Sequence, residues 1–127
     1  MGRTALAAIM MFALIFPALA ANDRFLASLR RLDPNTRLEQ VCDLEAMNQI
    51  SLRGFAADRA KSDVMSRPRH GGDTLKADGG AFRSRGKWYR LSFVCHGSKD
   101  HLHVTSFQYH IGSLIPEKKW ASLGLWR

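Results

Sequence analysis

Only two cysteines and four prolines occur in the chain, and no long apolar run follows its first twenty positions. With Cys42 and Cys95 alone there is no C-x-x-C pair for redox work and no closed zinc site. No G-x-S-x-G elbow surrounds Ser113, so nothing marks a hydrolase nucleophile. The paired glycines Gly71-Gly72 and Gly79-Gly80 precede no P-loop lysine and open no βαβ unit, so they read as turns. There is no internal repeat, no low-complexity tract and no proline-rich spacer. These absences remove the motif-marked nucleotide-binding and redox classes, and no cofactor is called for.

The beginning of the chain is informative. Arg3 makes a basic start, Ala5 to Pro17 is apolar, and Ala18-Leu19-Ala20 offers small residues at both flanks of a cleavage point. This is the pattern of a secretory leader over residues 1–20, cut after Ala20 or Ala21. The apolar run breaks at Pro17, short of the roughly 20 residues needed to cross a bilayer, so no transmembrane segment is expected after cleavage. The remainder, residues 21–127, fits one small domain. Such a chain is periplasmic or secreted, away from ATP, NAD and genomic DNA. In an oxidising compartment Cys42 and Cys95 pair, and closing a loop of that length stabilises a small domain by about 4 kcal/mol.

Charge is strongly one-sided. The formal net charge is +8, and removal of Arg3 leaves 18 basic against 11 acidic residues, about +7. A basic exported domain is drawn to an acidic envelope polymer, an anionic lipid surface or an acidic protein partner, with an attraction that salt weakens; no nucleic acid is expected.

Hydrophobic spacing gives the architecture. Phe25, Leu26, Leu29 and Leu32 recur at helical intervals, predicting a helix over Asp23 to Leu32 that stops at Asp33-Pro34. Thr36 and Glu39 have capping-box spacing ahead of Leu38, Val41, Cys42, Leu44, Met47 and Ile50, predicting a second helix over Arg37 to Ile50. Residues 51–80 are less patterned, with Phe55 and Val64 as core candidates and a short strand at Thr74 to Lys76. A hairpin follows: Phe82-Arg83 enter, Arg85-Gly86 turn, and Lys87 to Cys95 return. Tyr89, Leu91, Phe93 and Cys95 alternate with Trp88, Arg90, Ser92 and Val94, so Cys95 points toward the helices. Another strand spans His101 to Ile111. Its apolar residues switch from even positions (Leu102, Val104) to odd ones (Phe107, Tyr109, Ile111), which predicts a β-bulge near Thr105-Ser106. Pro116, Trp120, Leu123 and Gly124 outline a short C-terminal helix. The fold class is α+β: an N-terminal helical pair packed on a small antiparallel sheet, with a short helix at the end.

Three constellations could carry chemistry. Arg83, Arg85, Lys87 and Arg90, interleaved with Phe82, Trp88 and Tyr89, form the strongest binding candidate, since guanidinium forks beside aromatic faces hold phosphate or carboxylate groups. The alternative is a solvated hairpin whose long basic side chains guard a sheet edge, and Trp88, on the polar phase, decides between exposure and cover by another element. His101 and His103, on one side of a strand, are weak metal candidates and would serve an envelope hydrolase or metal-binding protein. Glu39, Asp43 and Glu45 share a helix but read as a solvated face.

The run Leu32-Asp33-Pro34-Asn35-Thr36-Arg37-Leu38-Glu39-Gln40-Val41-Cys42-Asp43-Leu44-Glu45-Ala46-Met47 resembles the opening of a bacterial family, domain of unknown function nine-thirty. Phe55 with Asp58-Arg59, the stretch Gly80 to Tyr89, Cys95, Phe107, Gly112, Ile115-Pro116 and Trp120 fit the same pattern, so the resemblance spans about Leu29 to Trp126. It implies a small exported or membrane-anchored alphaproteobacterial domain and carries over no activity, cofactor or catalytic residue.

Overall fold

The computed structural model describes residues 16–127, with side chains from Asp23 onward. The predicted leader lies outside the described residues apart from the backbone of residues 16–20. Helix α1 covers Phe16–Arg30 and so begins well before the expected Asp23. Its exit is fastened by one side chain. Arg37 Nε donates to the Leu29 carbonyl at 3.0 Å, Nη2 donates to the Leu32 and Arg30 carbonyls at 3.0 and 3.2 Å, and Nη1 reaches the Asp100 carbonyl at 2.8 Å. Carbonyls at a helix end have no partner within the helix, and a planar guanidinium satisfies several at once.

Helix α2 covers Pro34–Ser51. Its cap is Asp33, not the predicted Thr36/Glu39 box: Thr36 donates to Asp33 from both its backbone N–H and its hydroxyl, with Pro34 in the first turn. Those two bonds hold the Asp33 carboxyl below its ordinary value. Glu39 instead faces His70, 2.7 Å away.

Five strands make one antiparallel sheet: β1 (Ala57–Lys61), β2 (Arg69–Gly71), β3 (Thr74–Ser84), β4 (Lys87–Gly97) and β5 (Val104–Leu114), in the order β1-β3-β4-β5 with β2 beside the start of β3. β3 is far longer than the predicted three-residue strand. Gly79-Gly80 lie within it rather than in a turn, because a neighbouring segment passes too close for side chains: the N–H groups of Val64 and Met65 both donate to the Gly79 carbonyl, and a Cβ on Gly80 would sit 2.8 Å from the Lys61 carbonyl oxygen. Gly72 does open the turn between β2 and β3, with a left-handed φ of 61°, while Gly71 is the last residue of β2 and pairs with Thr74.

The register of β5 carries the predicted bulge. His96 pairs with Ser106 and Gly97 with Val104, leaving Thr105 unopposed. A second irregularity, unforeseen, falls where Tyr89 pairs with Leu114 but Leu91 with Ile111. β5 starts at Val104, so His101 and His103 occupy the preceding turn and not a strand.

Two cores flank the sheet. On one face Leu38, Cys42, Ala46 and Ile50, four residues apart along α2, meet Leu75, Phe82, Leu91, Phe93 and Cys95. Phe55, Phe82 and Tyr89 add an aromatic cluster with ring centroids 5.2 to 5.4 Å apart. The Cys42–Cys95 disulfide joins helix to sheet here, with Cα atoms 6.0 Å apart; such bonds persist in oxidising surroundings. On the opposite face Ala81 and Trp88 are covered by Ile115, Trp120 and Leu125. The C-terminal helix is two 3-10 turns, Glu117–Lys119 and Ala121–Leu123, stopped by left-handed Gly124 at φ 68°. Among the described residues no helix is long and apolar enough to cross a membrane.

Candidate functional site

The β3–β4 hairpin turns through Arg85 and Gly86 with φ of 51° and 74°, both left-handed, as the right-handed twist of a two-residue hairpin requires. From this tip the basic residues diverge. Arg83 forms a two-pronged ion pair with Asp58, Nε and Nη2 each 2.8 Å from a carboxylate oxygen, and its guanidinium carbon lies 5.9 and 5.8 Å from the ring centres of Trp88 and Trp126. The pairing depresses the Asp58 carboxyl and raises the Arg83 guanidinium. Trp88 is wholly buried, and its indole N–H donates to the Trp126 carbonyl at 2.6 Å. It is thus the keystone of the second core and presents no face to a ligand. Arg90 is half-buried on that same side, its Cβ close beside Gly112.

Arg85 and Lys87 remain exposed. The fold brings them to Arg53, just past the end of α2, around a groove of about 380 Å³ lined also by Phe55, Ser84 and Tyr89. The floor is fixed from below: Ser84 is buried, and its hydroxyl accepts from the Ala56 N–H at 3.0 Å. Three cations line this groove and no carboxylate does. Arg53 was missed by sequence reasoning. The available signal was a basic residue at the negative end of a helix, next to Gly54 and the core residue Phe55.

His101 is held within the scaffold. His101 is buried at φ 57°, with Nδ1 2.7 Å from the Pro34 carbonyl and Nε2 2.9 Å from Asp73 Oδ1. Both ring nitrogens thus face oxygens of the scaffold, one from the start of α2 and one from the β2–β3 turn. His103 is exposed. Among the described residues no three His, Cys, Asp or Glu side chains gather as metal ligands.

The acidic face of α2 is not uniformly solvated. Glu45 accepts from Gln49 and Glu39 meets His70, but Asp43 turns toward β1. Asp43 is partly covered as a residue, yet its Oδ1 is sealed from solvent and has no hydrogen-bond partner among the described residues. Burial pushes its carboxyl up to about 7 against the opposing influence of Ser62. It lies on the wall of the largest groove described, about 660 Å³, between α2 and the β1 strand with its exit.

An α+β scaffold, stapled from helix to sheet, thus carries an anion-complementary tip and a separate acid-floored groove. The chain belongs to the family described as Domain of Unknown Function (DUF930), whose profile matches residues 29–125. That span includes both cysteines, all five strands and the whole of α2. No curated protein and no solved structure matches the chain.

Proposed function

We propose that this protein is an exported, non-enzymatic binding module that holds an acidic envelope polymer through phosphate or carboxylate groups at the hairpin tip. The observation that carries the reading is the convergence of Arg53, Arg85 and Lys87 on one groove without a lining acid. Arg53 and Arg85 can fork onto anionic oxygens, Lys87 adds a point charge, and the rings of Phe55 and Tyr89 keep the groove open and stiff. Arg83 and Trp88 act as scaffold, since Arg83 is paired with Asp58 and Trp88 is enclosed, and Arg90 does not line the groove. The net positive charge steers acidic partners toward the surface, and the disulfide suits a compartment outside the reducing cytosol.

The test is binding of purified protein to polygalacturonate, polyphosphate and anionic vesicles at low and high salt. It compares Arg53→Ala/Arg85→Ala/Lys87→Ala with an equally basic control, Arg24→Ala/Arg30→Ala/Arg59→Ala. Polymer binding is expected to weaken with salt and to fall about tenfold or more in the tip variant alone. Equal losses in both variants would reduce the interaction to unspecific charge, and binding to vesicles alone would place the ligand in a membrane.

A further inference from the structure

We propose that the outer edge of β5 pairs with the same edge of a second copy of this chain, giving a two-fold dimer through one continuous antiparallel sheet. β5 is 11 residues long and, among the described residues, has β4 as its only strand neighbour. Its far side therefore presents main-chain N–H and carbonyl groups that no strand pairs. The opposite margin of the sheet is guarded. It is made of β1 and β2, 5 and 3 residues long, which carry Asp58, Arg59, Lys61 and Arg69. Short strands and charged side chains are the ordinary means by which proteins prevent edge pairing. β5 has neither: in a chain of formal charge +8 it holds no lysine, arginine, aspartate, glutamate or proline.

The sequence of this strand suits a second copy as the occupant. It is close to a palindrome in chemical character about Tyr109: Gln108 mirrors His110, Phe107 mirrors Ile111 and Val104 mirrors Leu114, with small or hydroxyl-bearing residues in between. A two-fold axis through Tyr109, normal to the sheet, sets Tyr109 opposite Tyr109, Phe107 opposite Ile111 and Gln108 opposite His110, with no like charges in apposition. Phe107, Tyr109 and Ile111 are only half-buried where they pack at the margin of the helix-covered core, so pairing continues that core across the axis. An extended peptide of another protein could add to the same edge, but nothing in such pairing would call for the palindrome. Regular pairing of β5 with β4 runs from Ser106 to Ile111, with an irregularity on either side. The ladder between copies is therefore centred on Phe107 to Ile111, and so small an interface associates weakly, half-dimerising near about 100 µM. Because pairing consumes the unguarded edge, assembly closes at two copies.

Sedimentation equilibrium of the intact disulfide-bonded protein, from about 5 µM to about 1 mM, tests the assignment with two variants. Gln108 and His110 are exposed, so both variants should keep the fold. Gln108→Lys/His110→Lys sets like charges opposite each other on both sides of the axis and is expected to raise the dissociation constant about tenfold or more. Gln108→Lys/His110→Glu sets opposite charges there and should keep or tighten the dimer. Amide hydrogen exchange over Phe107 to Ile111 should slow as the parent protein is concentrated. A dimer that the double-lysine variant leaves unchanged, a loss equal in both variants, or growth beyond two copies would overturn the proposal. So would a parent that stays monomeric to about 1 mM, which would leave the edge to an extended peptide of another protein.

Discussion

Arg85 holds a left-handed backbone that an asparagine would adopt with less strain. Hairpin geometry alone would place asparagine there, and the arginine is explained by what its side chain does in the groove with Arg53 and Lys87. Arg85→Asn is therefore expected to raise unfolding free energy by about 1 kcal/mol while weakening anion binding, measured by urea denaturation and polymer titration. A variant that loses stability would deny the strain. Asp43 makes a second residue-level case. Its folded carboxyl titrates at about 7 against 3.8 unfolded, so the native chain keeps a proton longer and the penalty of ionising it grows as pH rises through that window. Asp43→Asn should be more stable than the parent by about 2 to 4 kcal/mol near pH 8, with the gap closing toward pH 4. A gap independent of pH would mean that the carboxyl titrates normally. Asp33, Asp58 and Asp100 are depressed by their bonds to Thr36, Arg83 and Ser98, and their stabilising contributions are lost in the opposite sense, as pH falls.

At the scale of elements, apolar spacing was readable wherever one face met one core. The stripe of α2, the alternation of β4 and the phase change of β5 each predicted a feature that the fold contains. What escaped depended on partners distant in sequence. β1 and β2 are short and contain no fully buried residue, so no periodicity announces them. Gly79-Gly80 look like a turn in sequence, but they lie in β3 because the segment after β1 crosses them at backbone distance. The capping box read from Thr36 and Glu39 lost to Asp33, whose carboxylate reaches the same N–H group one turn earlier. Gly80→Ala should cost about 2 to 3 kcal/mol, since its Cβ would press on the carbonyl oxygens of Lys61 and Leu91, whereas Gly71→Ala has open space and should stay within about 0.5 kcal/mol. Parallel urea denaturation of the two variants checks this, and equal losses would mean that β1 does not lie against β3 as described.

For the whole molecule, the sheet works as a partition between a helix-covered core and a smaller core closed by the C-terminal turns. The disulfide spans 53 residues and crosses the first of these. Reducing it, or replacing both cysteines by alanine, should lower unfolding free energy by about 4 kcal/mol, with the Trp88 and Trp120 environment lost in the same transition because β3 and β4 serve both cores. Separate transitions for the two cores would contradict that coupling. The division also explains how the candidate site was read from sequence. Basic and aromatic residues crowded around the turn marked one end of the molecule, but the strand phase of Arg83 and Trp88 sends them to the closed face, while Arg53 arrives from the segment that follows α2. Only the tertiary arrangement sorts scaffold cations from free ones.

The central claim is that the free cations at the hairpin tip form one anion-binding surface, and amide chemical-shift mapping with polyphosphate tests it most directly. Shifts are expected to cluster at Arg53 to Phe55 and Ser84 to Tyr89 and to vanish in Arg53→Ala/Lys87→Ala. Shifts spread evenly over the basic residues, or centred on Arg59 and Lys61, would contradict the account.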